Sequence, residues 1–276
     1  MPITDTSFTG INEARREKEL AELMKGVEEK AGSKKNLAVV ILAAGLGKRM
    51  KNPDKPKVMF ELSGKPIISY VIELALKLNP DKIIPIVGHR RELVIDYLTK
   101  NFNYNFEFAV QEPQLGTGHA VMQTEKLLKD FAGDVLILSG DVPLLKYETV
   151  EMLKQVQHDN GNTATLLTAV LENADGYGRI IRDADGNFQK IIEDKDASVE
   201  EKKIKEINPA IYVVNSKALF DALKKITSDN KQKEYYLTDI FNFIPSDKVG
   251  TVIVGDENEV KGINSLDQLR EIKSFL

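Results

Sequence analysis

Four sets of residues in this chain carry side chains suited to a phosphorylated ligand. The first is Leu42-Ala43-Ala44-Gly45-Leu46-Gly47-Lys48-Arg49-Met50, directly after a short apolar run. Glycines let backbone N–H groups approach an anion, and the Arg49 guanidinium offers a planar fork to phosphate oxygens. Lys57, after Pro56, adds a second cation to the same loop. The stretch lacks the Gly-Lys-Ser/Thr ending of a P-loop, and Arg49-Met50 stands where a dinucleotide fold has its third glycine. A plain glycine turn with solvated cations is the alternative. The small-residue loop, the arginine and the Pro-Lys pair together favour a phosphate site.

The second set is Gln111-Glu112-Pro113-Gln114-Leu115-Gly116-Thr117-Gly118-His119-Ala120. A glutamine amide both donates and accepts, which suits a pyrimidine edge, and Gly-Thr-Gly can open a helix with its N–H groups toward a ligand. It reads equally as a loop with Thr117 as helix cap. The third set is Ser139-Gly140-Asp141-Val142-Pro143. A carboxylate at a strand's end can hold Mg²⁺ against a phosphate, or can cap the next helix. The fourth is dispersed: Gly176-Tyr177-Gly178-Arg179, the run at 191–197 with Glu193, Ile207-Asn208 and Gly262-Ile263-Asn264. By residue type alone these are turn and strand-end residues. His89, His119 and His158 lack the short spacing of zinc sites, and His119 reads as first-turn helix beside the ligand.

These sets need a scaffold that brings them together. Apolar runs at 37–42, 83–87, 106–110 and 135–138 read as strands, and 65–78, 90–100 and 118–129 have helical spacing. Strand and helix in alternation predict an α/β fold, with an open, largely parallel sheet and helices on both faces. Ligands of such sheets sit at the strands' carboxyl ends, where the first three sets fall. Further strands are expected at 163–170, 178–182, 188–192, 211–214 and 251–254, with a closing helix at 265–274; this half extends the sheet and adds a small lobe. Residues 1–35 stand apart as a charged helical extension to a domain spanning 36–276. Leu20, Leu23, Met24 and Val27 form one helical stripe there, which packs on its own domain or, alternatively, serves residues 11–30 as a docking arm.

The 276 residues include 38 Lys and Arg against 42 Asp and Glu, a net charge of −4. Overall charge therefore gives no reason to bind nucleic acid or an anionic membrane, and any anion must be held locally. The absence of cysteine excludes disulfides, thiolate nucleophiles and Cys-ligated metals. No apolar stretch reaches the ~20 residues of a membrane span, and the first residues lack a signal-peptide core, so a cytoplasmic protein is expected.

Taken together, the sets resemble the sugar-1-phosphate nucleotidyltransferases, most closely the uridylyltransferase domain of the bacterial N-acetylglucosamine-1-phosphate enzymes. LAAGLGKRM, PK, QEPQLGTGHA, SGDVPL, GYGRI, IIEDKDA, EIN and GIN stand in that family's order across 37–269. The resemblance implies a Rossmann-like sheet with a sugar-binding lobe, and UTP plus a sugar 1-phosphate giving UDP-sugar and pyrophosphate with Mg²⁺. It implies that Leu42, Ala43, Ala44 and Gly45 border the uridine, and that Arg49 and Lys57 hold the triphosphate and the transition-state charge. Gln111, Gly116 and Thr117 match uracil-binding positions, and Ser139 and Gly140 line the substrate site. Asp141 and Asn264 match Mg²⁺ ligands; Gly178, Glu193 and Asn208 match sugar positions. The chain departs from the family at Lys48, where a small Thr is usual, and at Pro209-Ala210, where Thr-Gly is usual. It shows no hexapeptide periodicity, so no acetyltransferase activity is expected. A glucose-1-phosphate uridylyl- or thymidylyltransferase and a non-catalytic nucleotide-sugar sensor are the competing readings.

Overall fold

The computed structural model describes residues 36–276; the stripe at 20–27 and the docking arm expected at 11–30 lie outside them. In chain order the first elements are β1 (Leu37–Leu42), β2 (Glu61–Leu62), β3 (Lys65–Pro66), α1 (Ile67–Lys77), β4 (Lys82–Val87), α2 (Arg91–Asn101), β5 (Ala109–Val110), α3 (Thr117–Met122) and β6 (Asp134–Ser139). There follow α4 (Tyr147–Asp159), β7 (Ala164–Val170), β8 (Gly178–Arg182), β9 (Phe188–Ile192), β10 (Glu206–Asn208), β11 (Tyr212–Asn215), α5 (Ser216–Leu223), β12 (Val249–Ile253) and α6 (Leu266–Lys273).

The main sheet runs β5-β4-β1-β6-β11-β7-β10-β8-β9, with β12 along β7. Its first four strands are mutually parallel, with Val39 beside Ile83 on one side and Leu136 on the other. From β11 onward the pairings along this path are antiparallel, while β12 lies parallel to β7. The second half thus extends the sheet of the first. The central strands are apolar without alternation because both faces are covered: Ala38, Val39, Val40 and Ile41 are all fully buried. On one face Ala38, Val40, Ile84, Ile86, Val135 and Ile137 share a core with Val121 of α3, Leu219 of α5 and Phe241.

Several expected boundaries shift for local reasons. The strand expected at 106–110 shrinks to β5. Phe106 instead packs its ring 5.0 Å from Tyr104 and 6.0 Å from Phe108 at the sheet edge. The helix expected from 65 starts at 67, because Lys65 and Pro66 pair with β2 and a residue before proline is held out of the helical region. The helix expected to reach 129 ends at Met122. There the Thr124 hydroxyl bonds back to the Val121 carbonyl at 2.7 Å and successive turns take over. Helices α4 and α5 were not anticipated by the sequence reading. Among the described residues, no helix is long and apolar enough to cross a membrane.

Candidate active site

Because β1, β4 and β6 are parallel, their carboxyl ends gather at one rim. Past its last residue β1 stays tied to both neighbours: Ala43 N–H donates to Ile86 O at 3.0 Å and Gly140 N–H to Leu42 O at 3.0 Å. A Cβ on Gly140 would stand 2.8 Å from that Leu42 oxygen, so the approach of the two loops needs glycine. The chain then turns through Gly47, whose φ is +59° and whose added Cβ would lie 2.8 Å from the Cβ of Lys57. This closure folds the loop back and sets Arg49 and Lys57 on one wall.

A cavity of about 570 Å³ opens at this rim. Of the residues singled out in the sequence, it is lined by Leu42, Ala43, Ala44, Gly45, Arg49, Lys57, Gln111, Gly116, Thr117, Ser139, Asp141 and Asn264. Leu46, Gly47, Val58, Gln114, Ala120 and Glu234 complete the wall and went unmarked as ligand contacts. The exposed Arg49 makes no ion pair with any described residue. Lys57 Nζ lies against Asp141 Oδ2 in a close ion pair and donates to Asn264 Oδ1 at 2.8 Å. Asn264 arrives from the far end of the chain because Ile263 N–H donates to the Asp141 carbonyl at 2.9 Å. Asn264 N–H is in turn held by Gln268 Oε1 at 2.8 Å, and Ser265 caps α6.

Asp141 and Asn264 therefore present two hard oxygens to one point, and a cation already rests between them. That donor set fits a magnesium ion, which takes one or two protein oxygens and completes its shell with phosphate and water. No group of three or more His, Cys, Asp or Glu suited to a metal occurs among the described residues.

Gly178, Glu193 and Asn208 are brought together outside this lining. Asn208 pairs with Gly178 across β10 and β8, and Arg179 pairs with Ile192 across β8 and β9, which sets Glu193 at the level of Gly178. The three residues make one row across adjacent strands. Asn208 is held by Tyr212, 2.7 Å from its amide nitrogen to the phenol oxygen, and its Oδ1 accepts Ala210 N–H at 3.0 Å. Ala210 has a φ of +59°, the left-handed region that suits the glycine usual in the family. Burial pushes the Glu193 carboxyl above its ordinary range, and Asp239, Asp196 and Asp194 add to the rise. The Thr238 hydroxyl opposes it by donating to Glu193 Oε1 at 2.8 Å.

One segment that the sequence reading passed over joins the row to the cavity. Tyr235 N–H donates to Leu115 O and Tyr235 O accepts from Gly118 N–H, each at 2.8 Å. Leu237 N–H donates to the Thr117 hydroxyl at 3.0 Å. Thr117 thus receives this strap and does not cap α3; the cap position is Gly116. The available signal was Glu234-Tyr235-Tyr236-Leu237-Thr238, a polar and aromatic run without clear helical or strand period.

Fold and rim together define an α/β nucleotidyltransferase. The chain belongs to the nucleotidyl transferase family, whose profile matches residues 38–255. It is 48% identical over 242 residues to the bifunctional protein GlmU of Caldanaerobacter subterraneus subsp. tengcongensis, which covers 87% of this chain and 51% of that protein. It is 45% identical over 237 residues to GlmU of Acetivibrio thermocellus, covering 85% and 50%. The chain spans about half the length of these curated relatives. Among solved structures, a UDP-glucose pyrophosphorylase complexed with UDP-glucose superposes with a TM-score of 0.70 at 17% identity, covering 87% of this chain and 98% of that one. HddC from Yersinia pseudotuberculosis gives 0.63 at 21% identity, covering 86% and 98%. At those identities the likeness bears on the fold alone.

Proposed function

We propose that this chain transfers a uridylyl group from UTP to N-acetylglucosamine 1-phosphate or a close sugar 1-phosphate. The observation that carries the reading is the convergence of Arg49, Lys57, Asp141 and Asn264 on one cavity with the glycine loop and Gln111. The similarity to GlmU proteins supports the choice of substrates. On this reading residues 42–45 border the nucleoside, Gln111 faces the base, and Gly116 and Thr117 close the pocket beside it. The row of Gly178, Glu193 and Asn208 takes the sugar.

The reaction needs no protein nucleophile. An oxygen of the sugar phosphate attacks the α-phosphorus of UTP in line, the bond to the β-phosphate bridging oxygen breaks, and pyrophosphate leaves. Arg49 and Lys57 hold the phosphates and meet the charge that grows on the leaving group. The sugar phosphate is already ionised near neutral pH, so no side chain need remove a proton. Asp141 and Asn264 would hold Mg²⁺, which when bound neutralises phosphate charge and lowers the repulsion between two anionic substrates. Lys57, now on those two oxygens, then serves the phosphates.

Pyrophosphate release tests the reading, with a panel of nucleoside triphosphates against sugar 1-phosphates, with and without Mg²⁺. UTP with a hexosamine 1-phosphate should be the preferred pair, and Asp141→Ala should lose the Mg²⁺-dependent activity while keeping its fold. Full turnover in Asp141→Ala, or preference for another base, overturns it. Tight UDP-sugar binding without turnover would favour the sensor.

A further inference from the structure

Resting on the reading that Gln111 faces the base, we propose that His119 is a positioning residue that sets base selectivity, by fixing which end of the Gln111 amide meets the ligand. Gln111 follows β5 and is 4% exposed, so neighbours rather than solvent orient its amide. One anchor has a single solution. The Gln111 Nε2 lies 2.8 Å from the Gly116 carbonyl oxygen, which can only accept, so the atom there is the donor. That contact uses one of two hydrogens. The other faces His119 Nδ1 at 3.3 Å.

The ring must be neutral for this to hold, because an Nδ1 bearing hydrogen would meet the amide donor head on. Two features keep it so. Burial pushes the His119 imidazolium below its ordinary range. A second amide nitrogen, that of Gln123, lies 3.2 Å from His119 Nε2 while donating to the His119 carbonyl at 2.9 Å. A doubly protonated imidazole would therefore face a donor at each nitrogen, whereas the neutral ring keeps one acceptor. On this proposal the acceptor is Nδ1, which leaves the hydrogen on Nε2 and leaves Gln123 Nε2 with its bond to the His119 carbonyl alone.

Both hydrogens of the Gln111 nitrogen are then taken within the protein. Its Oε1 accepts from no described residue, is not sealed from solvent, and belongs to a side chain that lines the cavity. The site thus offers the base an acceptor. Uracil and thymine present a ring N–H to such an atom, whereas cytosine presents a bare ring nitrogen and meets it lone pair to lone pair. Turning the amide over would set oxygen against both the Gly116 carbonyl and Nδ1, so His119 and Gly116 together oppose the flip that would admit cytosine.

The experiment compares kcat/KM for UTP and CTP, and calorimetric binding of UDP and CDP, in the parent, His119→Phe, His119→Asn and Gln111→Ala. His119→Phe keeps a ring but no acceptor and should lower the UTP-to-CTP ratio about 5- to 10-fold, the worth of one neutral hydrogen bond. His119→Asn, whose Oδ1 can accept near the place of Nδ1, should restore most of the ratio. If His119→Phe fails to fold, His119→Leu removes the same acceptor and the same ratio decides. An unchanged ratio with equal loss for both nucleotides overturns the role of His119. If Gln111→Ala leaves the ratio unchanged, the base assignment itself fails; if Gln111→Ala collapses it and the His119 variants do not, only the positioning role fails.

Discussion

Gly116→Ala should loosen the strap at 234–238 and weaken the enzyme at both substrates. Gly116 has a φ of +110°, which side-chain-bearing residues rarely adopt, and an added Cβ would stand 2.5 Å from Tyr235 O, 2.8 Å from its nitrogen and 2.9 Å from Glu234 Cβ. Two of those atoms are backbone, so the strap must move. Moving it breaks the two 2.8 Å bonds that join Tyr235 to Leu115 and Gly118. At roughly 1 kcal/mol for each bond and about 1–3 kcal/mol for backbone strain, the cost is about 3–5 kcal/mol. For a domain of this size that is a fall in Tm of roughly 10 °C. Gly186→Ala separates the two terms: its φ is +84°, but nothing lies within 4 Å of the added Cβ, so it carries strain alone. Thermal unfolding and steady-state kinetics of the two variants are the assay. Gly116→Ala should lose more stability than Gly186→Ala and raise KM for nucleotide and sugar phosphate, whereas Gly186→Ala should leave both KM values near the parent. Equal Tm shifts in the two variants, with unchanged kinetics, would refute the view that close backbone approach at Gly116 holds the site together.

Ala210→Gly relieves a φ of +59° at a position already braced by Asn208, and should stabilise the protein by about 1 kcal/mol, read as a rise in Tm of about 2–4 °C. A fall in Tm would mean that the greater freedom of glycine in the unfolded chain outweighs the relief. Lys57→Met removes the ammonium shared by Asp141 and Asn264 and should cut kcat/KM by about 10²–10³. Because the two side chains of the ion pair are only 17% and 16% exposed, Tm should fall as well, and the kinetics are read well below the unfolding transition. In the same variant the affinity for free Mn²⁺, followed by paramagnetic resonance, should rise, because no protein cation competes for those two oxygens; a fall would remove them as the metal ligands.

The parallel half of the sheet was legible because its strands are short, unbroken apolar runs separated by amphipathic helices. That pattern survives without knowledge of tertiary contacts. The glycine loop was legible as a loop for the same reason: it follows a strand, and its small residues permit the turn at Gly47 that brings Arg49 and Lys57 to one cavity. Neither the pairing of Lys57 with Asn264 nor the row of Gly178, Glu193 and Asn208 could be read from spacing, since each depends on a crossover that only the folded sheet supplies. The resemblance named those positions without saying how they meet. The strap at 234–238 was missed because its work is done by backbone N–H and C=O groups, which every sequence carries alike. Only the glycines at 116 and 118 mark its landing place, and they were read for their effect on a ligand instead. Thr117 shows the same ambiguity, for a hydroxyl before a helix caps it in many proteins and here takes the Leu237 N–H.

Thr238→Val tests whether the strap also tunes the row proposed to take the sugar. Burial dominates the rise of the Glu193 carboxyl above its ordinary value of 4.5, and the 2.8 Å bond from Thr238 is the largest influence pulling it back. Without that bond the carboxyl protonates at still higher pH. If the Glu193 carboxylate accepts sugar hydroxyls, the acid limb of kcat/KM for the sugar phosphate moves to higher pH in the variant. Stability responds in a definite direction. Below about 4.5 the folded and unfolded chains both hold the proton, and the group contributes nothing to pH dependence. As pH rises past that value the unfolded chain loses its proton first, so stability falls until the folded carboxyl ionises too. The variant widens that window, and its Tm deficit should grow between acidic and neutral pH. Nucleotide KM should stay near the parent value, because Leu237 still holds Thr117. An unmoved acid limb, or a nucleotide KM that rises as much as that for sugar phosphate, would show that Thr238 only packs the strap and that the ionisation of Glu193 has no part in binding.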